Sequence, residues 1–357
     1  MRAQEPLKGQ KPVKGEKPVT GLVIRGSRNV FTVRVGTDET ECRIKGKVLK
    51  GVEGYYNPLA PGDVVEVEDC GNNGSRLILG LEKRKNAFIR FNQKGQAPQL
   101  LASNVDLVLI VTSPCSPPFR PRFLDRLLLQ ADIAGIPAAL VCNKYDLAEG
   151  GSYAGLDSSL LDVEERLSDF ERIGCPVFRL SALTGKGLDD FKRFIGGKFS
   201  VLAGQSGVGK SSLVKALIPD LKIKTGAINE KFNRGNHVTT QSVLLDVPIQ
   251  DVPVQDVPIQ DVPGTEASLL KTWIVDTPGV RRFVPSGISG EDLILYMREF
   301  APLAGKCSYG LSCSHETEPG CKIMEAVDAG VIHEDRYESF LRIREELSGR
   351  REFPDTD

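Results

Sequence analysis

Residues 204–211 read GQSGVGKS, directly after the apolar run FSVLA and directly before SLVKALI. A G-x-x-x-x-G-K-[ST] loop joining a buried strand to a helix admits few folds. Gly204, Gln205, Ser206, Gly207, Val208 and Gly209 offer consecutive backbone N–H groups to a polyphosphate, and the following helix adds its positive N-terminal end. Lys210 places a cation on the β and γ oxygens. Ser211 offers a hydroxyl to magnesium, and Ser212 sits beside it in the first helical turn. The surrounding texture agrees: VDLVLIVT and PAALVC are continuous apolar runs, separated by the helically spaced FLDRLLLQADIAG. Alternating βαβα of this kind implies an α/β domain with a mostly parallel sheet.

Three further tetrapeptide-scale signals fall at the ends of predicted strands. Asn143-Lys144-Tyr145-Asp146 follows PAALVC, and the Asp146 carboxylate can accept two hydrogen bonds from guanine N1 and its exocyclic amine. Adenine cannot supply that pair, and an unpaired buried carboxylate would penalise it. Ser181 and Ala182, in the sequence SAL, end the next strand and are expected to present a backbone N–H to guanine O6. Asp276-Thr277-Pro278-Gly279 ends the strand WIV, which puts Asp276 near magnesium and Gly279 near the γ-phosphate. The order is unusual. In an ordinary G domain the phosphate loop comes first, whereas here both base motifs precede it, so the domain is circularly permuted. The segment after DTPG then leads into the C-terminal region, where nucleotide state can be coupled to that region's position.

Ras-like proteins carry a water-orienting glutamine after DxxG; this chain has Val280, so slow intrinsic hydrolysis is expected. In NRGNHVTTQSV, Thr239 or Thr240 can supply a second magnesium hydroxyl, and His237 either faces the γ-phosphate or is a loop histidine reaching solvent or RNA.

The rest of the chain falls into flanking parts. Residues 1–50 hold twelve Lys/Arg against five Asp/Glu, a net +7 within a chain whose total is −1. Such asymmetry points to a polyanionic partner. Residues 1–18 read as a basic tail without the apolar core of a signal peptide, and a cytoplasmic, monomeric protein with no membrane contact is expected. From 19 to 95, five short β-branched runs with Gly/Pro punctuation imply a small barrel, either an oligonucleotide-binding (OB) fold or an SH3-like one. Residues 96–298 hold the GTPase motifs. Within them, 246–265 repeat DVPIQ, DVPVQ, DVPIQ, DVPGT, and proline at every fifth position predicts a surface excursion rather than an inner strand. Residues 299–357 carry Cys307, Cys313, His315 and Cys321 in the pattern C-x5-C-x-H-x5-C, a tetrahedral donor set for one structural zinc. ISGEDLILYMREFAPL and the stretch from Cys321 to Leu347 around it have helical spacing.

Taken together, the barrel, KRKNAFIR, NKYD, SAL, GQSGVGKSSL, the histidine-containing switch, DTPGV and the CxH knot resemble the circularly permuted ribosome-biogenesis GTPases called RsgA or YjeQ. The resemblance implies an N-terminal OB-fold, a permuted P-loop G domain and a small helical zinc domain. It also implies late maturation of the small ribosomal subunit, contact with its rRNA, and GTP hydrolysis stimulated by that subunit. It assigns a hydrolytic role to His237 beside Lys210, with magnesium held by Ser211, Asp276 and, by preference, Thr239. The switch reads GNHVTT, a departure from the commoner threonine spacing, and the DVPIQ repeat lies outside the family pattern. A competing reading is an RNA-binding scaffold that uses bound GTP as a switch and hardly turns over.

Overall fold

The computed structural model describes residues 18–27, 29–46, 49, 52, 54–69, 76–149, 157–219, 241–249 and 271–349. The N-terminal strands are β1 (Val19–Ser27), β2 (Val30–Val35), β3 (Asp38–Ile44), β4 (Val64–Asp69) and β5 (Arg76–Leu81). They close on themselves in the order β1-β2-β3-β5-β4-β1, with β3 and β5 parallel and the other pairs antiparallel. Alternation along each strand turns Val23, Phe31, Val33, Cys42, Val65, Val67 and Ile78 inward to a shared core. The result is a β-barrel. Buried Asp63 accepts from Arg84 Nε at 2.7 Å and from Arg84 Nη2 at 2.8 Å, fastening the barrel to the KRKN segment that leaves it.

That segment opens a hairpin which the sequence reading did not set apart. β6 (Ala87–Asn92) and β7 (Ala97–Ser103) pair with each other as a separate two-stranded sheet. Next come β8 (Leu107–Thr112), α1 (Pro121–Ile133), β9 (Ala138–Cys142), α2 (Asp146–Glu149), α3 (Asp157–Arg172), β10 (Val177–Arg179), α4 (Leu188–Ile195), β11 (Phe199–Gly204), α5 (Lys210–Leu217), β12 (Val243–Val247) and β13 (Thr272–Asp276). Their sheet runs β10-β9-β8-β11-β13-β12, parallel except for β12. β8, β9 and β11 are buried along their whole length, as strands covered on both faces must be.

β12 corrects one expectation. Asp246 and Val247, the first residues of the DVPIQ repeat, lie in this strand, and Val247 is 5% exposed. The first proline of the repeat, Pro248, follows only where the strand stops, so nothing in the ladder needs its missing N–H. Residues 250–270, the rest of the repeat, lie outside the described residues. β12 also joins the two halves of the molecule: Val243 bridges Arg25 of β1, which makes the barrel and the central sheet one continuous ladder. Asp246 reinforces that seam by accepting from Arg34 of the barrel at 2.9 and 2.8 Å and from Trp273 Nε1 at 2.7 Å.

After β13 the chain crosses to a C-terminal unit built on α1. ISGEDLILYMREFAPL is not one helix here but a series of tight turns, with 3-10 segments at Asp292–Leu295 and Ala301–Leu303. Leu293, Ile294, Met297 and Phe300 are buried all the same. Tight turns satisfy the helical spacing without an unbroken helix, and Pro302 follows Phe300 too closely for one to continue. α6 (Lys322–Asp328) and α7 (Glu334–Leu347) complete the unit. Arg336 of α7, 3% exposed, donates to Asp125 of α1 at 2.8 Å and to Glu299 at 2.6 Å, so the guanidinium buried at this junction is fully charge-compensated. No helix among the described residues is long and apolar enough to cross a membrane.

Candidate nucleotide site and cysteine cluster

The C-terminal ends of β9, β10, β11 and β13 meet at one edge of the sheet, where open α/β folds place their ligands. β11 delivers the phosphate loop. Gly209 adopts φ 92° at the start of α5, and a Cβ there would lie 2.3 Å from Asn143 Nδ2. Glycine is therefore demanded twice, by backbone conformation and by packing. Lys210 is 7% exposed, and its Nζ donates to the carbonyls of Gly204 and Gln205 at 2.9 Å each. Burial lowers its pKa to about 8, against a smaller opposing pull from Asp276. Ser211 and Ser212 follow in the first turn of α5.

The base motif is bound to this loop. Asn143, 1% exposed, donates from Nδ2 to Val208 O at 3.1 Å and to Gly209 O at 3.3 Å, while its Oδ1 accepts from Ala182 N at 3.0 Å. One amide thus ties together three segments that are distant in sequence. The Ala182 N–H, expected to address guanine O6, is engaged by Asn143, and an incoming carbonyl would have to share it. Lys144 takes the left-handed conformation, φ 61°, and its Nζ donates to Gly207 O at 2.8 Å and to Ser116 O. A left-handed non-glycine residue costs roughly 1–2 kcal/mol, here offset by two backbone acceptors. Tyr145 N donates to Leu180 O at 3.0 Å, which fixes the spacing between NKYD and SAL. Asp146 begins α2, and its Oδ1 is buried with no hydrogen-bond partner among the described residues. Buried acceptors are normally satisfied, which makes this atom an exception among the described residues.

β13 brings DTPG against the same loop. A Cβ on Gly279 would lie 2.8 Å from Ser206 Cα and 3.0 Å from Lys210 Nζ, and Val280 N donates to Gly204 O at 3.4 Å. Thr277 Oγ1 donates to Leu202 O at 2.5 Å, clamping the motif to β11. The sequence motifs include Thr277 within DTPG without this clamping role, and they do not include Ser116. Ser116 was discoverable from the Pro117-Pro118 pair after β8, which marks a loop at the ligand-bearing edge of the sheet. His237, Thr239 and Thr240 lie outside the described residues.

At the far side of α7, Cys307, Cys313, His315 and Cys321 are all buried, and their donor atoms lie within 4.8 Å of one another. Cys307 Sγ is 3.5 Å from His315 Nδ1 and 3.9 Å from Cys321 Sγ, and His315 Nδ1 is 3.4 Å from Cys321 Sγ. These separations suit the corners of a tetrahedron around one ion with bonds of about 2.0–2.3 Å. The histidine addresses the cluster through Nδ1, a choice that spacing alone does not specify. Its carbonyl accepts from Tyr337 of α7 at 2.6 Å, which ties the knot to the helix.

Comparison with known proteins places these features in context. The family model of the RsgA GTPase matches residues 81–284. Small ribosomal subunit biogenesis GTPase RsgA of Bacteroides fragilis is 32% identical over 91% of this chain and 96% of its own length. The protein of that name from Porphyromonas gingivalis is 35% identical over 94% of this chain and 99% of its own. Among solved structures, YjeQ from Thermotoga maritima superposes with a TM-score of 0.65 at 30% identity, covering 94% of this chain and all of that one. YloQ, a circularly permuted GTPase, superposes at 0.60 with 22% identity, over 94% of this chain and 97% of its own, a likeness of fold.

Proposed function

Because the chain belongs to the RsgA GTPase family, we propose that it binds GTP at the sheet edge formed by NKYD, SAL, GQSGVGKS and DTPG and hydrolyses it while assisting maturation of the small ribosomal subunit. The observation that carries this reading is Asn143, whose one amide holds the base motif and the phosphate loop in fixed register. Asp146 selects guanine. Lys210, drawn from its own loop carbonyls, meets the β and γ oxygens, and Gly204 to Ser212 supply the cradle.

Ser211, Asp276 and Thr239 are the residues that would hold magnesium, which when bound neutralises charge on the β and γ phosphates. Gly279 abuts Lys210 closely enough for its amide to report whether the γ-phosphate is present. His237 acts on the hydrolytic water or γ-phosphate, an assignment supported by resemblance. Zinc held by the three cysteines and His315 would pin the C-terminal unit; the set leaves no open position for chemistry.

The layout we favour is a basic tail over 1–18, an OB-type RNA-binding barrel from 19, the permuted GTPase and a zinc-binding unit; the expected cut after 95 would split the β6–β7 hairpin and the cut after 298 would part Leu293, Ile294 and Met297 from Phe300, so both boundaries move toward the N-terminus. The closed order β1-β2-β3-β5-β4-β1 supports an OB barrel over an SH3-like one. Basic residues of the barrel and of KRKN other than Arg84, whose guanidinium is held by Asp63, provide the rRNA contact, and the protein acts as a cytoplasmic monomer. The test is phosphate release with and without purified small subunits, alongside co-sedimentation in GTP-analogue and GDP states. Strong stimulation by small but not large subunits is expected; equal rates with and without them would leave the switch-scaffold reading.

A further inference from the structure

The segment leaving DTPG is held more tightly than a freely moving switch needs to be. Phe283 is fully buried and stacked on Phe88 of β6, with ring centroids 5.9 Å apart. Val284 O accepts from Phe91 N at 3.0 Å, and Ser286 N donates to Gln130 Oε1 at 2.7 Å. Nearer the nucleotide, Arg282 donates to Glu346 Oε1 at 2.6 Å, and Arg126 of α1 donates to Glu346 Oε2. The Glu346 side chain, in the last turn of α7, is 7% exposed. Both of its oxygens are taken by guanidiniums, so its direction is fixed from two sides.

Arg282 stands three residues beyond Gly279, a span of at most about 10 Å of chain. Gly279 in turn touches the phosphate loop at Ser206 and Lys210. A displacement of the end of α7 therefore reaches the catalytic loop through one ion pair and three residues. Glu346 is not what docks α7: Arg336–Asp125, Arg122–Glu338 and the buried Leu129, Phe340 and Ile343 hold that contact independently.

We propose that Glu346 is a positioning residue for GTP hydrolysis, setting the DTPG loop through Arg282. The proposal rests on the reading that DTPG faces the γ-phosphate. Glu346→Gln is expected to slow single-turnover GTP hydrolysis about two- to thirtyfold while GTP-analogue affinity stays within about twofold. Arg282→Gln, which leaves the Arg126–Glu346 pair intact and so preserves folding, should show the same loss, and the double variant should be no worse than either single one. Arg122→Ala breaks a neighbouring α1–α7 ion pair and should hydrolyse at the wild-type rate. Wild-type rates in Arg282→Gln, or an equal loss in Arg122→Ala, would overturn the proposal. Asp276→Asn run alongside tests the underlying reading separately: full activity there removes the magnesium assignment, whatever Glu346 does.

Discussion

Asn143 Nδ2 lies 3.1 Å from Val208 O, a hydrogen bond between the base-selecting motif and the phosphate loop across 65 residues of sequence. The contact is buried, and Asn143→Ala would leave Val208 O, Gly209 O and Ala182 N without this partner. Each unsatisfied buried group costs about 1–3 kcal/mol. Asn143→Ala should therefore lower thermal stability and weaken GDP and GTP together. Gly209→Ala should do the same, because its Cβ would strike the Asn143 amide. Thermal melts and fluorescent-nucleotide titrations check this; a variant that loses GTP alone would contradict it.

Asp146, the residue proposed above to select guanine, has its Oδ1 unpartnered among the described residues. Exchanging its acceptor for an amide donor should transfer preference from GTP to xanthosine triphosphate, whose edge carries the complementary carbonyl. Competition titration of Asp146→Asn with both nucleotides measures the exchange, and unchanged GTP preference would remove the assignment.

Lys210 has a pKa of about 8 where 10.5 is ordinary. A depressed lysine destabilises the fold fully below about 8, where it is protonated in both states, and the penalty fades as pH rises toward 10.5. Polyphosphate restores the cation, so nucleotide binding should take up protons. Above pH ~8 an uptake of a fraction of a proton per GDP is expected, read from calorimetry in buffers of different ionisation heat. Lys210→Met should bind weakly and without uptake; proton-neutral binding by the wild type would count against burial as the cause.

The cysteine cluster should contain about one zinc per chain, following from four protein donors at tetrahedral spacing. Cys313→Ser, or treatment with a strong chelator, should lower the melting temperature of the C-terminal unit and leave nucleotide affinity nearly intact. Metal analysis of protein purified without chelator tests the stoichiometry, and a zinc-free, equally stable protein would exclude a structural ion.

Much of the site was legible because its signals are local. GQSGVGKS, NKYD and DTPG each declare their chemistry within a few residues, and the strand–loop–helix context needs only short-range pattern. What stayed hidden depends on contacts between distant residues. Nothing near Glu346 reveals that Arg126 and Arg282 converge on it from 220 and 64 residues away. The apolar spacing of Leu293, Met297 and Phe300 fits a helix as well as successive turns, so that spacing alone does not decide between them. Asp246 shows the same limit: its pentapeptide repeat reads as an excursion, yet hydrogen bonds from Arg34 and Trp273 hold its first residues in a strand.

Trp273 is the only tryptophan in the chain, and its indole N–H is bonded to the carboxylate that also grips the barrel through Arg34. The molecule therefore carries its own optical gauge of the seam between barrel and GTPase. A shift in how the barrel sits changes the polarity and hydrogen bonding of one chromophore. Its emission maximum should report, without any label, whether a partner seated on the barrel moves β12.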